Sequence, residues 1–423
     1  MTERGTALAP QRFASLWGSL LPIGRDPAGG YLRSAWSPAD LACRDWFVEA
    51  ALQRDLTVEA DGNGNLWAWW DPRRGSSRGY THSPSRADAH GPRAVVTGSH
   101  LDSVPHGGAY DGALGVVSAL LAVDLLRERA VVPQRPVGIA VFAEEEGARF
   151  GMPCLGSRLF TGALPAERAR RLTDSDGVTL AEAMTWAGAD PARLGPDPDR
   201  LARIGAFVEL HIEQGRALSA PIGVASAIWP HGRWRLDFSG AANHAGTTPM
   251  PERRDPMVTC ADTVLAANSE ARRRDALATV GRITVEPNAP NAIPSRVSAW
   301  LDARAARDED LAALVEAITG RAAERASRDG TAVTVTAESA TPRVEFHAGL
   351  RERILRRLDH PSILPTGAGH DAGVLAAQVP TAMLFVRNPT GISHAPEEHA
   401  TDTDCAAGVT ALADVLQDLS CTP

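Results

Sequence analysis

The chain contains no lysine: all 43 of its basic residues are arginine, in a sequence of 423 residues. The codon usage of a GC-rich genome is a sufficient explanation of this bias, and the chemical consequence holds whatever the cause. Enzymes that use lysine as a Schiff base, as a pyridoxal-phosphate anchor, as a P-loop residue or as a general base are excluded.

Cysteine is scarce as well: the residues are odd in number, widely scattered and without a C-x-x-C pair. This distribution argues against a disulfide framework and against a zinc site built from thiolates. Cys154 is a candidate nucleophile, but its expected role is that of a small buried apolar side chain. The cysteines are Cys43, Cys154, Cys260, Cys405 and Cys421.

Long apolar runs are absent too. None approaches the ~20 residues that a membrane helix requires, and residues 1–10 lack the apolar segment of a secretory signal. We therefore expect a cytoplasmic protein without a membrane partner. The net charge of −8 argues against a general nucleic-acid binder. With 44% hydrophobic and 22% charged residues, the composition is that of a globular chain, and its length predicts two domains.

The first part of the sequence alternates between helical and strand patterns, which is typical of a parallel α/β sheet. Between two of the strands, residues 71–92 are rich in Gly, Ser, Pro and Arg and predict an exposed loop insertion. The patterns predict helices over 11–21, 38–54 and 114–127, and strands over 65–70, 94–98 and 136–143.

A different pattern begins near Gly223. It predicts strands over 234–238, 277–285, 296–302 and 331–336, with helices over 256–274 and 308–328. That βαββαβ order can form a small antiparallel sheet with helices on one face. The α/β pattern then resumes, with a strand over 381–386 and a helix over 404–419. The sequence thus predicts one domain from residues 1–222 and 341–423, and an inserted domain from residues 223–340.

Polar residues follow the apolar strands, at the sheet edge where open α/β sheets bind ligands. Together they form a nitrogen and oxygen donor set that suits zinc, manganese, cobalt or nickel. Asp111 could bridge two ions, since Gly112 lets the backbone approach closely. Asp102 could accept the second ring N–H of a histidine ligand. The donors are His100, Asp111, the run Glu144 to Glu146, His211 and His394.

Each of these signals is weak alone. A histidine beside a strand usually only satisfies local hydrogen bonds, and a run of glutamates usually faces solvent. Their coincidence at strand ends predicts a metal site. The alternative from the residues alone is a flavodoxin-like ligand binder with incidental histidines, which would bind no transition metal.

Eight motifs make the sequence similar to the amidases of the hydantoinase/carbamoylase family. This family belongs to the dinuclear-metal aminoacylase and carboxypeptidase-G superfamily and includes N-carbamoyl-L-amino acid hydrolases, β-ureidopropionases and allantoate amidohydrolases. The resemblance extends from about Leu16 to Gln417. It implies an α/β, phosphorylase/hydrolase-like metallopeptidase catalytic domain with an inserted α+β (ferredoxin-like) lid and dimerisation domain. The motifs are GSHLDSVP, YDGALGV, EEEGARFG, LHIEQG, NHAGTTPM, PNAPNAIP, GAGHDA and SHAPEE.

The resemblance also implies roles for individual residues. Two divalent ions would be held per chain, one by His100, Asp111 and His211 and the other by Asp111, Glu146 and His394. Glu145 would be the general base, and His244 would polarise the substrate carbonyl, typically from the partner subunit of a homodimer that pairs through the lid. The residues matching substrate-binding positions are Gln214, Asn291, Arg304, Gly369 and His370.

The implied reaction is hydrolysis of a urea-like or amide C–N bond in a small carboxylate substrate. N-carbamoyl-L-amino acids are the first expectation, and allantoate or β-ureidopropionate the next. A dipeptidase or aminoacylase of the same superfamily and a catalytically inactive binding module remain alternatives. Arg304 matches a position that would bind the substrate carboxylate, although its spacing alone favours an ion pair with Asp302 or Asp308. Trp229-Pro230-His231 and Ser295 depart from the family pattern.

Overall fold

The computed structural model describes residues 7–71, 80–81 and 91–421. The chain forms two compact units, one from Met1–Ser226 with Glu345–Pro423 and the other from Ala227–Val344. The loop insertion predicted over residues 71–92 falls almost wholly outside the described residues. Within the described ranges, no helix is long and apolar enough to cross a membrane.

Strands and helices alternate along most of the chain. The strands are β1 (Thr57–Ala60), β2 (Leu66–Trp70), β3 (Tyr80–Thr81), β4 (Ala94–His100), β5 (Val137–Phe142), β6 (Ile204–Ile212), β7 (Ile222–Ile228), β8 (His231–Ser239), β9 (Asn243–His244), β10 (Leu277–Glu286), β11 (Ala292–Ile293), β12 (Arg296–Arg304), β13 (Ala332–Thr341), β14 (Val344–Glu345), β15 (Ser362–Thr366) and β16 (Thr381–Val386). The α-helices are α1 (Pro10–Leu20), α2 (Pro38–Leu52), α3 (Ala113–Glu128), α4 (Leu155–Thr161), α5 (Ala166–Arg170), α6 (Leu180–Trp186), α7 (Pro198–Ala202), α8 (Pro256–Arg273), α9 (Asp308–Asp329), α10 (Ala348–Arg357), α11 (Asp371–Leu375) and α12 (Asp402–Cys421).

The larger unit is built on a ten-stranded sheet in the order β14-β7-β16-β6-β4-β5-β2-β1-β3, with β15 paired to β7. Its four central strands, β16, β6, β4 and β5, are parallel to one another. Their carboxyl ends therefore meet at one edge of the sheet, which confirms the α/β class. Residues that follow these strands are brought close together even where they are far apart in sequence.

The core of this unit explains why the central strands read as continuous apolar runs. Every residue of β4, β5 and β16 is buried, as expected for parallel strands covered on both faces. Helix α3 is apolar on almost all sides, with 13 buried residues, and such a helix has to lie inside the protein. Burial of each Leu or Phe side chain contributes about 1.5–3 kcal/mol, so this core fixes the sheet edge firmly.

The smaller unit has a four-stranded antiparallel sheet in the order β10-β12-β8-β13. Helices α8 and α9 supply the apolar side chains, among them Leu314 and Ile318, that pack with Phe238 and Leu301 of the sheet. The predicted βαββαβ order is therefore confirmed, although β8 and β13 are longer than the sequence pattern indicated. Two short strands, β9 and β11, pair with each other separately.

One difference from the sequence prediction affects the donors directly. Strand β4 extends to His100 and β6 to Ile212, so both histidines lie on strands rather than in the loops that follow. The strand predicted over 94–98 stops two residues before His100, whereas strand pairing continues through both histidines, His100 opposite Phe142 and His211 opposite Phe385. Strand pairing therefore positions the backbone of both histidines.

Candidate active site

The ends of β4 and β6 bring His100, His211 and Asp111 into one buried cluster. The Nε2 atom of His211 lies 3.1 Å from Oδ1 of Asp111, and Nε2 of His100 lies 3.5 Å from the same oxygen. The two rings are stacked, with centroids 5.9 Å apart. Asp111 reaches them from the loop that precedes α3. These three residues form a group whose ligand atoms could hold one metal ion.

A second group shares Asp111 through its other carboxylate oxygen. Nε2 of His394 lies 3.3 Å from Oδ2 of Asp111 and 3.5 Å from Oε2 of Glu146. Glu146 follows β5, and His394 follows β16. Asp111 thus directs one oxygen to each donor group, which is the arrangement that a bridging carboxylate requires.

The donor spacing fits cations better than direct hydrogen bonds. A tetrahedral ion with bonds of about 2.1 Å separates neighbouring ligand atoms by about 3.4 Å, close to the distances given above. Two buried atoms, Nε2 of His100 and Oε1 of Glu146, have no hydrogen-bond partner within the described part of the chain. Buried polar atoms are rarely left unpaired, so these two fit ligands for an ion.

The pKa shifts of the cluster also favour bound cations. Burial raises the pKa of Glu145 and of Glu146 well above the usual glutamate range. Burial also opposes ionisation of Asp111, but the three histidines around it, His100, His211 and His394, outweigh burial and lower the pKa of Asp111. The neighbouring Asp111 carboxylate is the main cause that raises the pKa of His394 to about 9. A bound divalent cation would stabilise the ionised acids and the neutral histidines instead.

Gly112 is required by the close approach of His100. Its φ is +66°, and a Cβ atom at this position would lie 2.4 Å from Nε2 of His100. The backbone N–H of Gly112 also lies 3.1 Å from Nε2 of His211. The sequence prediction that this glycine allows close backbone approach agrees with the geometry.

Asp102 contacts this cluster differently from the prediction. Nδ1 of His100 pairs with the backbone carbonyl oxygen of Asp102 at 3.0 Å, whereas the Asp102 carboxylate lies 3.6 Å away. The carboxylate instead accepts the backbone N–H groups of Glu145 and Glu146, each at 3.1 Å. Nδ1 of His100 is therefore closer to the backbone carbonyl of Asp102 than to the carboxylate that the sequence suggested as its partner. Asp102 positions both glutamates through their backbone.

The three glutamates that follow β5 have different surroundings, and Glu146 has been described above with the second donor group. Oε2 of Glu145 lies 3.6 Å from Nε2 of His100, beside the first donor group. Glu144 turns away with φ of +54°, and its Oε1 accepts the N–H groups of Arg149 and Phe150 at 3.1 and 2.9 Å. It is only 1% exposed. Although a run of glutamates usually faces solvent, Glu144 is buried and supports the backbone behind the site through these contacts.

Cys154 is a hydrogen-bond partner of Glu145. The buried thiol donates to Oε1 of Glu145 at 3.3 Å, and the backbone N–H of Cys154 donates to the Glu145 carbonyl at 2.6 Å. Burial and the neighbouring carboxylates raise the pKa of Cys154 well above the usual thiol range. A thiol that stays protonated is a poor nucleophile, so the expectation of a small buried side chain holds.

Two of the expected substrate-binding residues lie against the metal donors. Nε2 of Gln214 donates to Oδ2 of Asp111 at 2.6 Å. The ring of His370 lies 4.5 Å from that of His211, and burial and His211 lower the pKa of His370 well below the usual histidine range. Gly369 precedes His370 in the partly exposed turn before α11.

The remaining expected residues lie in the smaller unit. His244 is exposed on β9, and its Nδ1 accepts the N–H of Gly246 at 3.0 Å, which leaves the proton of a neutral ring on Nε2. Asn291 is its neighbour, since its carbonyl accepts the N–H of Ala245. Arg304 is paired with Asp302, with Nε to Oδ1 at 2.8 Å and Nη2 to Oδ2 at 3.2 Å. This is the ion pair that its spacing also allowed.

Arg304 and His244 occupy opposite ends of their unit. Arg304 is opposite His231 in the ladder between β12 and β8, and Arg296 is opposite Ser239, just before β9. Eight residue steps along a strand span about 26 Å. The structure therefore does not bring the arginine together with the His244 and Asn291 pair within one unit.

Sequence reasoning missed several buried acids near the donors, among them Glu209 and Glu398. Glu209 accepts hydrogen bonds from Ser99 and from the backbone of Ala372, and it forms a third possible donor group with His211 and His370. This group shares His211 with the first one and so is not independent of it. Glu398 accepts backbone hydrogen bonds at Asp111. A glutamate inside an apolar strand and the last glutamate of SHAPEE were the available signals.

A family model decides the classification: residues 96–418 match Peptidase family M20/M25/M40. The chain belongs to this family. It is 36% identical over 420 residues to N-carbamoyl-L-amino acid amidohydrolase of Geobacillus stearothermophilus, covering 96% of this chain and 98% of the relative. It is 34% identical over 416 residues to allantoate amidohydrolase of Escherichia coli, covering 95% of this chain and 96% of that protein.

A solved structure is similar over the full length. The crystal structure of an amidase of the hydantoinase/carbamoylase family from Burkholderia vietnamiensis matches with a TM-score of 0.87 and 30% identity, covering 100% of both chains. The family inferred from the motifs is therefore confirmed. This M20 member is an enzyme, a hydrolase of carbon–nitrogen bonds other than peptide bonds, as the sequence predicted.

Proposed function

We propose that this M20 enzyme hydrolyses N-carbamoyl-L-amino acids with two divalent cations bound per chain. The observation that carries the proposal is the shared use of Asp111 by two donor groups, with Glu145 beside them. The substrate class is supported by the identity to the Geobacillus enzyme over almost the whole chain. Water would add to the carbamoyl carbon, and the products would be the free amino acid, ammonia and carbon dioxide.

Each residue of the site has a proposed role in this reaction. His100, Asp111 and His211 would hold one cation, and Asp111, Glu146 and His394 the other; zinc, manganese, cobalt and nickel all suit these donors. The bound cations would lower the pKa of a water molecule toward neutrality and polarise the carbonyl. Glu145 would take the proton of that water and transfer it to the leaving nitrogen. Cys154 and Asp102 keep the Glu145 side chain and backbone in place.

The residues of the smaller unit support a homodimer that pairs through this lid. One substrate molecule cannot contact both Arg304 and His244 of the same lid, because they occupy opposite ends of its sheet. In the proposed dimer, one chain provides the Glu145 site and its partner provides a His244 that donates through Nε2 to the developing oxyanion. The enzyme is proposed to work in the cytoplasm.

The substrate carboxylate is proposed to bind Arg304. A guanidinium group can form two parallel hydrogen bonds with a carboxylate. In this structure the Asp302 carboxylate accepts those hydrogen bonds from Arg304. The substrate would therefore replace an internal carboxylate with its own. Gln214, Asn291, Gly369 and His370 are the proposed contacts for the remaining polar atoms of the substrate.

One substrate screen tests this assignment. The enzyme, loaded with zinc or manganese, is offered N-carbamoyl-L-amino acids, allantoate, β-ureidopropionate, N-acyl amino acids and dipeptides, and both ammonia and free amine are measured. We expect the highest kcat/KM for a carbamoyl amino acid. Allantoate is the second candidate because of the similarity to the Escherichia coli enzyme. A preference for dipeptides would contradict the proposal.

The carboxylate contact is tested in the same assay. Arg304→Ala should lower kcat/KM for the best carboxylate substrate by at least the ~10-fold of one lost charged hydrogen bond. Arg307→Ala, in the same unit but exposed and paired with Asp310, is the matched control and should have no effect. If Arg304→Ala leaves kcat/KM unchanged, Arg304 does not bind the substrate carboxylate.

A further inference from the structure

Glu398 links the two loops that carry Asp111 and His394. Its Oε1 accepts the backbone N–H of Tyr110 at 2.9 Å and that of Asp111 at 3.0 Å. The residue is only 4% exposed and stands four positions after His394. We propose that Glu398 is a positioning residue for the second cation: it holds the Asp111 loop and the His394 loop in register. This inference rests on the proposed dinuclear site.

A glycine makes this contact possible. A Cβ atom on Gly108 would lie 2.3 Å from Oε1 and 2.4 Å from Cβ of Glu398. The Glu398 side chain therefore lies directly over the backbone of Gly108 and fills the space that any other residue would occupy. The loop before Asp111 and the acid that holds it are complementary in shape.

The second donor group depends on this link more than the first. His100 and His211 lie on central strands, whereas His394 lies on a loop with φ of +56°, and 49% of its side chain is exposed. Asn388 holds the start of that loop: its Oδ1 accepts the Gly391 N–H at 3.0 Å, and its Nδ2 donates to the Ile392 carbonyl at 2.8 Å.

Of Asn388 and Glu398, only Glu398 accepts hydrogen bonds from the loop that carries Asp111. Asp111 keeps other supports when Glu398 is lost. Its carbonyl accepts the Ala113 N–H at the start of α3, and its Oδ2 accepts from Gln214. The first donor group should therefore survive removal of the Glu398 carboxylate. The second group should be weakened, because the two hydrogen bonds from the Asp111 loop to the segment that carries His394 would be lost.

Metal titration of the full-length apo protein tests the proposal. Zinc or manganese is added to the wild type and to the variants Glu398→Ala, Gly108→Ala and Glu398→Gln, and stoichiometry and affinity are measured by calorimetry and elemental analysis. Wild type should bind two ions. Glu398→Ala and Gly108→Ala should bind the second ion at least tenfold more weakly and keep the first. Glu398→Gln should keep both, since its amide oxygen can still accept the two N–H groups.

Glu397→Ala is the matched control, because it removes an exposed carboxylate from the adjacent position and should change neither ion. Two tight ions in Glu398→Ala, with affinities equal to those of the wild type, would overturn the inference while leaving the proposed function intact. Fewer than two ions in the wild type would overturn the dinuclear proposal itself. Loss of folded structure in both Glu398→Ala and Gly108→Ala, seen by circular dichroism, would assign Glu398 a purely structural role and also overturn the inference.

Discussion

Adjacent glutamates at the end of β5 have different surroundings, and substitution can separate their roles. We expect Glu145→Gln to lower kcat by at least the ~10²-fold typical of lost proton transfer, with an unchanged metal content. The amide has the shape of the acid but cannot accept the proton. Turnover with the best substrate and elemental analysis of the same sample check this prediction.

Glu144→Gln is the matched control for that experiment. Burial and Asp102 raise the pKa of Glu144 to about 8, which favours the uncharged acid, and an amide resembles that form closely. The amide oxygen can still accept the Arg149 and Phe150 N–H groups. Turnover should stay near the wild-type value. Equal losses in the two variants would mean that neither glutamate acts as a specific base.

At the scale of single elements, the first turn of α2 contains a buried acid with a measurable effect on stability. The Asp40 carboxylate accepts the Trp36 N–H at 2.8 Å, and burial raises the pKa of Asp40 from 3.8 to about 6. A raised pKa means that the folded state binds this proton more tightly than the unfolded state does. The contribution of Asp40 to stability therefore falls as the pH rises from about 4 to about 6.

Asp40→Asn removes this titration and keeps an acceptor for the Trp36 N–H. We expect the melting temperature of the variant, relative to wild type, to rise as the pH increases from about 4 to about 6, and to level off above that range. Thermal unfolding of both proteins, followed by circular dichroism across this range, provides the measurement. Asp45→Asn, on the same helix, is the control, and a constant difference for Asp40→Asn would contradict the assigned pKa.

Strands of this chain could be predicted from sequence where a continuous apolar run was the main signal. Continuous apolar runs identified β4, β5 and β16, and the parallel arrangement then required the residues at their ends to meet at one edge. The same reasoning predicted that Asp111 and His394 would lie close together. It could not predict where the strands end, because β4 and β6 continue through a polar histidine.

Contacts between distant side chains and backbone were beyond sequence reasoning. The hydrogen bond from the Asp111 N–H to Glu398 joins residues 287 positions apart, and no periodicity encodes it. For Asp102, the sequence indicated proximity to His100 but could not tell a carboxylate contact from a carbonyl contact. For Arg304, spacing allowed both an internal ion pair and a ligand contact, and the structure shows the pair with Asp302.

At the scale of the whole molecule, the positions of Arg304 and His244 predict that active sites are shared between chains. Each site of the proposed dimer needs Glu145 from one chain and His244 from the other. Glu145→Gln and His244→Ala homodimers should both be nearly inactive. In a mixed dimer, one site would carry both defects and the other would carry none, since a two-fold dimer presents the same pair of surfaces twice.

Mixing the two inactive variants should therefore restore activity. With equal amounts and random exchange, about half of the dimers are mixed and one of their two sites is intact, so we expect about a quarter of the wild-type kcat. Activity is measured before and after exchange, and native mass spectrometry of differently tagged chains confirms that mixed dimers have formed. A doubly substituted Glu145→Gln/His244→Ala chain mixed with wild type is the control: every mixed dimer would then have two damaged sites. Proven exchange without recovered activity in the first mixture would show that His244 acts within its own chain or not at all.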